Sequence, residues 1–322
     1  MKTHLETPAG DRGLFEGLVK DGRPLLALTG LALAFSGGFA LFLSATGQFL
    51  PHDIQFLGMT AADLRSIAEQ RLVNFMFHDR VAFGGSLIAI GVLYLWMAEF
   101  ALGEGEAWAW WAFVVSGTVG FGSFLTYLGY GYLDSWHGVG TACLLPLFVF
   151  GLVRSRAALP GSRSIRSLWK PLGSAWKSKT GLGRLLLAAT GAGMVAGGAT
   201  IMVVGMTSVF VPQDLAYMGV SPDHLKAVNI RLVPLIAHDR AGFGGGICSC
   251  GLLVLICAWH GRPSRSLVQA LGIAGLAGFG SAIGVHFVIG YTDFIHLLPA
   301  YIGFGIYIAG MFLFASRANG GA

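Results

Sequence analysis

Two polar motifs occur twice in this chain, and both carry side chains capable of chemistry. His78-Asp79-Arg80-Val-Ala-Phe83-Gly84-Gly85 returns as His238-Asp239-Arg240-Ala-Gly-Phe243-Gly244-Gly245. Tyr132-x-Asp134-x-x-His137 returns as Tyr291-x-Asp293-x-x-His296. Imidazole nitrogens ligate metal ions and haem iron, carboxylates ligate ions or orient a histidine, and guanidinium groups pair with carboxylates. Three chemistries are therefore open. In the first, His78 with His137 and His238 with His296 coordinate haem b from opposite sides, and Arg80 and Arg240 pair with propionates. In the second, His78, His137 and Asp134, with Asp53 as a further carboxylate, or His238, His296 and Asp293, hold a divalent metal ion such as zinc, iron or manganese. In the third, the aspartates cap helices or pair with arginine, and the histidines hydrogen-bond loop carbonyls or contact a substrate.

The residues around the histidines narrow the geometry. His78, Ala82, Gly85 and Ala89 follow 4-3-4 spacing and share one helix face, as do His238, Gly242, Gly245 and Ser249. A stripe of this kind, with Gly85 and Gly245 at its centre, leaves room for a flat group or for another backbone. His286 has no histidine counterpart, since Tyr127 stands at the matching place. It reads as an extra ligand, a proton donor or a hydrogen-bonding partner for a neighbouring helix. His4, His224 and His260 fall in tail or loop positions and read as solvated. Cys143, Cys248, Cys250 and Cys257 lie in apolar runs without metal or redox spacing and read as packing residues.

The elements that must position these groups are membrane helices. The 322 residues are 54% hydrophobic and 11% charged, with 49 glycines, and mean hydropathy is +0.68. Charge at less than half the ordinary proportion of about 25% excludes a typical soluble enzyme. Apolar stretches long enough to cross a bilayer fall at about 25–49, 79–101, 108–131, 135–153, 184–208, 239–259, 267–290 and 294–316. The expected fold is all-α: eight transmembrane helices as two tandem four-helix bundles of parallel orientation. Residues 1–24 form an N-terminal segment, 25–153 the first repeat, 154–183 a basic linker, 184–316 the second repeat and 317–322 a tail. The first segment has no small-residue cleavage site and does not read as a cleaved signal.

With an even number of spans both termini share a side. If that side is cytoplasmic, 15 of the 21 lysines and arginines face inward, eight of them between Arg154 and Arg184. The positive-inside rule then places the N- and C-termini in the cytoplasm of a bacterial plasma membrane and the histidines at the outer surface. The linker, with Trp169 and Trp176 among its basic residues, is expected to lie on anionic lipid. The same topology explains the net charge of +5 without nucleic acid. Short helices are expected near 61–71 and 222–228, each after a Thr or Ser cap. The duplication extends further: Gly37-Gly38 matches Gly197-Gly198, and Pro51-x-Asp53 matches Pro212-x-Asp214.

Eight spans in two parallel four-helix units, with His78, His137, His238 and His296 on the even spans near the outer surface, resemble the haem A synthase family. The resemblance implies haem binding by paired histidines. It covers the span plan and these four positions. That family carries a glutamate a few residues before a His-Arg pair, whereas Asn74 and Pro234 stand four residues before His78 and His238 here, so haem O oxidation does not transfer. The sequence therefore leads to a membrane redox protein with haem b. The alternatives are a non-enzymatic module that binds a lipid, a quinone or a partner membrane subunit, and a metal-dependent membrane enzyme.

Overall fold

The computed structural model describes residues 19, 21–124, 131–132, 134–159, 164–169 and 177–316. His4, Tyr127 and Trp176 lie outside the described residues, as do most basic residues of the N-terminal segment and part of the linker. Among the described residues there are helices and no strands. The first repeat supplies α1 (Arg23–Thr46), the short α2 (Pro51–Leu57) and α3 (Ala61–Arg65), α4 (Arg71–Trp96), α5 (Ala107–Phe124) and α6 (Ser135–Ala158). The second supplies, in the same order, α7 (Lys179–Met206), α8 (Pro212–Met218), α9 (Pro222–Val228), α10 (Leu232–His260), α11 (Arg265–Ile289) and α12 (Phe294–Ala315). Seven of these, α1, α4, α6, α7, α10, α11 and α12, are long and apolar enough to cross a membrane. The 18-residue α5, which carries Trp108, Trp110 and Trp111, is not among them.

Local sequence accounts for most helix starts. Pro51 and Pro212 occupy the first turn of α2 and α8, where a missing N–H costs nothing. Thr60 and Asp63 form a reciprocal capping box on α3, and Ser221 caps α9. Asp134 accepts from the His137 backbone N–H at 2.9 Å, and Asp293 from that of His296 at 2.7 Å, so each Asp-x-x-His motif begins a helix. Two expected boundaries change. The helix near 61–71 stops at Arg65, and Ala68, Glu69 and Gln70 turn through positive φ before α4. The second and sixth spans begin at Arg71 and Leu232 rather than near 79 and 239. Apolar residues such as Leu72, Phe75 and Leu235 extend each helix, so the His-Asp-Arg motifs sit about two turns inside rather than at the helix mouth.

Glycine determines how close the helices come. Gly37 and Gly84, and Gly30 and Gly91, face one another between α1 and α4. Gly198 with Gly244 and Gly191 with Gly251 repeat the arrangement between α7 and α10. A Cβ at Gly198, for example, would meet the Gly244 carbonyl oxygen at 2.6 Å, so small residues let the backbones touch.

The third span of each repeat crosses to the other repeat. α4 packs along α11, α10 packs along α5, and α4 and α10 pack on each other. They form the centre: 78% and 83% of their apolar windows are buried, against 11–28% for the other five apolar helices. The expected picture of two bundles lying side by side, each built from one repeat, therefore gives way to an exchanged assembly. The reason is small-residue packing. Gly85 of α4 is filled by Ala277 and Ser281 of α11, and Gly245 of α10 by Ser123 of α5. Ser249 donates to the Ser116 carbonyl at 3.0 Å across the same seam. The stripes expected to seat a flat group are thus occupied by helix at Gly85 and Gly245, while Gly242 borders a cavity.

Valine at Gly85 is expected to abolish the folded monodisperse species, because backbone lies where its side chain would go. Alanine at Gly38, which faces open space, is expected to leave it unchanged. Size-exclusion profiles of the two variants in detergent check this. An undisturbed Gly85→Val profile would remove close packing at this seam as a constraint.

Candidate functional site

The two His-Asp-Arg motifs meet at the centre and exchange charges. Arg80 on α4 donates to Asp239 on α10 at 2.9 Å and to Asp53 on α2 at 2.7 Å. Reciprocally, Arg240 donates to Asp79 at 3.2 Å and to Asp214 on α8 at 2.6 Å. Tyr132 and Tyr291 complete the two halves by donating to Asp53 and Asp214. Asp53, Asp79 and Asp214 are all but inaccessible to solvent. Carboxylates at that depth are tolerated because each is paired and hydrogen-bonded. Arg80 lies beside the Phe49 ring and Arg240 beside that of Phe75, which fits the flat guanidinium to an apolar wall.

The same aspartates reach the histidines. His78 Nδ1 lies 3.0 Å from Asp79 Oδ1, and His238 Nδ1 lies 3.1 Å from Asp239 Oδ1. In both rings this turns Nε2 away from the charge network and towards a second histidine.

At the first cluster His78 Nε2 stands 3.0 Å from His286 Nε2. One ligating atom each of His78, His286 and His296 lies within 4.8 Å of the others. The Nδ1 atoms explain how this is held. His286 Nδ1 is 2.6 Å from the Ala282 carbonyl oxygen, which can only accept. His296 Nδ1 is 3.2 Å from the Tyr291 hydroxyl, whose own proton goes to Asp214 at 2.9 Å. His286 and His296 thus direct Nδ1–H at an acceptor, while His78 Nδ1 lies 3.0 Å from Asp79 Oδ1 without hydrogen-bond geometry. The 3.0 Å contact between His78 and His286 is satisfied by a proton on one Nε2 or by a cation that replaces it.

The second cluster is Asp134, His137 and His238, again with ligating atoms within 4.8 Å of one another. His137 Nδ1 is 2.9 Å from Asp134 Oδ2 and 3.4 Å from His238 Nε2. His52 on α2 adds Nε2 at 3.0 Å from Asp134 Oδ1. Burial works against the charged form of His52, but the adjacent Asp134 carboxylate, helped by Asp53, outweighs it and raises the pKa. Burial also opposes ionisation of Asp134, yet hydrogen bonds from His137 and His52 hold its carboxyl far below the ordinary range. This cluster borders a cavity of about 440 Å³.

Several sequence pairings are corrected. His78 meets His286 and His296, not His137, and His238 meets His137, not His296, because the third span of each repeat packs on the central helix of the other and brings the start of the fourth with it. Arg80 and Arg240 each pair with two aspartates, so their charge is met within the protein rather than by a propionate. Gly85 and Gly245 seat helices. Asp293 caps α12 from an exposed position and is absent from the cluster of His296. Two imidazoles that sandwich a haem iron must stand on opposite faces of a porphyrin, and nitrogens 3.0–3.4 Å apart leave no gap for one. His260, expected to be solvated, is buried, stacks on Trp108 and lies 3.0 Å from the Leu168 carbonyl oxygen. Cys143 is exposed, and the other three cysteines are buried.

Tyr132 and Tyr291 stand out in the repeats but their roles do not, whereas the pairing of Asp53 with Arg80 was among the expectations and is found. His52 had no repeated partner to draw attention to it, since Gln213 stands opposite. Compared with known proteins, no family model, no curated protein and no solved structure matches this chain.

Arg80→Gln is expected to lower stability by about 3–5 kcal/mol, because it leaves Asp53 and Asp239 buried without their cation. Arg71→Gln, at an exposed pair with Glu69, is expected to cost no more than about 1 kcal/mol. Denaturation in mixed micelles checks both, and equal effects would remove the network as a determinant.

The raised pKa of His52 has a definite sign. Its stabilising charge is fully present below the ordinary value of 6.5 and is lost as pH rises through the folded-state pKa. The gap in thermal midpoint between the native chain and His52→Gln is therefore expected to be wider at about pH 6 than at about pH 9. A gap independent of pH would contradict the assignment.

Proposed function

We propose that this chain is a multi-pass membrane metalloprotein that holds one divalent transition-metal ion through His78, His286 and His296. The observation that carries this reading is the convergence of His78, His286 and His296, one ligating atom of each within 4.8 Å of the others, with Nδ1 of His286 at the Ala282 carbonyl and Nδ1 of His296 at the Tyr291 hydroxyl. Histidine ligands of metal ions are supported in this way, with the second nitrogen hydrogen-bonded to a carboxylate, carbonyl or similar acceptor. Nitrogens bound tetrahedrally at about 2.0–2.1 Å lie roughly 3.3 Å apart, near the 3.0 Å between His78 and His286. Imidazole suits zinc, copper, iron or nickel better than magnesium or calcium.

Three protein ligands leave a fourth position for water or substrate, the pattern of a catalytic rather than a structural ion. Such an ion supplies Lewis acidity, or redox chemistry if it is copper or iron. The histidines set its coordination, and Tyr291 orients His296 while remaining tied to Asp214. In our reading α5 is the third of eight spans, with both termini cytoplasmic by the positive-inside rule. The ion then sits at the outer end of the bundle in the plasma membrane.

Metal analysis of the purified chain is expected to give about one equivalent of a single transition metal. His286→Ala is expected to lose it. Tyr291→Phe is expected to retain the fold and weaken affinity by about 10–100-fold. A b-type haem spectrum lost on His78→Ala, or a chain that stays metal-free in replete medium, would overturn the proposal.

A further inference from the structure

The two repeats share a scaffold but have diverged around their clusters, and the divergence has a direction. The second repeat adds His286. The first leaves the 440 Å³ cavity beside Asp134, His137 and His238, lined by α1, α4, α5 and α6. Seven lining residues are aromatic, and five of them, Phe35, Phe39, Phe77, Phe124 and Trp136, have small or aliphatic counterparts by the repeat register: Val195, Ala199, Ala237, Ala282 and Ile295. The other two, Phe83 and Phe121, match Phe243 and Phe279. Aromatic side chains therefore cluster on the cavity side, where small or aliphatic residues stand in the other half.

The cavity is amphipathic. Its apolar length is formed by residues such as Leu33, Phe39, Leu43 and Leu144. Its polar end carries Arg80 with Asp53, Asp134 and Asp239, beside His137 and His238. The side chain of His137 is 34% exposed, whereas that of His238 is 2% exposed. His137 is thus the group of the cluster available to a ligand. At the mouth, Trp136 is 60% exposed, and along α1 Phe35 and Phe42 are 70% and 65% exposed on its outward surface. The site therefore opens sideways along an apolar helix surface.

We infer that this cavity binds an isoprenoid quinone, its ring among the aromatic side chains, its oxygen towards His137 and its tail along α1. Three features select this class. The aromatic lining favours a flat ring by stacking. The long apolar wall fits an alkyl tail, and the volume falls within the range of pockets for ligands of this size. The polar end holds more carboxylates than cations, since Asp53, Asp79, Asp134 and Asp239 line it with Arg80, and His52 lies behind Asp134. It therefore repels an anionic phospholipid headgroup and accepts a neutral one. This inference uses the second cluster alone and does not depend on a metal at the first.

The test is saturable binding of decylubiquinone, and of a short-chain menaquinone analogue, to the full chain in nanodiscs. Quenching of tryptophan fluorescence reports it, with mass spectrometry of quinones retained on purification as a second readout. Thr141→Trp and Leu43→Trp place bulk in the cavity from two different helices. Each is expected to weaken binding about tenfold or more while keeping the native elution profile. Ile302→Trp, on an exposed face of α12, is expected to bind as the native chain does. No saturable binding of either quinone would overturn the proposal. So would binding indifferent to both cavity-filling changes, or a cavity that retains phospholipid in place of quinone.

Discussion

The structure depends on a charge exchange at its centre. Each His-Asp-Arg motif presents an arginine that its own aspartate does not satisfy, and each arginine reaches across to the aspartate of the other motif. Arg80 pairs with Asp239 and Arg240 with Asp79, deep between α4 and α10. Neither repeat can bury these charges alone, because desolvating a charge without its partner costs several kcal/mol. The exchange fixes the register of the two central helices. It also anchors the short helices α2 and α8 through Asp53 and Asp214, and the tyrosines before α6 and α12 through the same carboxylates.

That constraint reaches the histidines directly. Asp79 and Asp239 each serve an arginine on one oxygen and the adjacent imidazole on the other. One residue thus balances charge and stands beside a candidate ligand. The sequence alone left these aspartates to cap helices or to pair with arginine. In the structure they link the packing of the repeats to the orientation of the candidate ligands.

A shared scaffold with two different ends explains the asymmetry. Symmetric contacts, namely the glycine pairs, the crossed ion pairs and the tyrosine–aspartate bonds, hold the centre. Substitutions at the edges change the chemistry without disturbing it. Histidine in place of Tyr127 creates a three-imidazole cluster at one end. Aromatic residues in place of alanines line a cavity at the other. Duplication makes such divergence easy, since either end can change while the other keeps the fold together.

Much of the architecture was legible in the residues. Low charge and high glycine content identify helices compatible with a membrane, and Thr60, Ser221, Asp134 and Asp293 mark helix starts through local hydrogen bonds. The internal repeat shows which residues correspond. The 4-3-4 spacing also shows that Gly85 and Gly245 lie on the histidine face. What it cannot show is which helix fills that face. Several spans carry small residues, and any of them satisfies the same periodicity, so the choice of α11 for α4 and α5 for α10 rests on simultaneous packing of all the helices. The histidine pairing follows from that choice. Local sequence therefore determined the elements and their polar faces. Tertiary structure decided the partners, because close packing and charge pairing are satisfied together only when the repeats exchange their third spans.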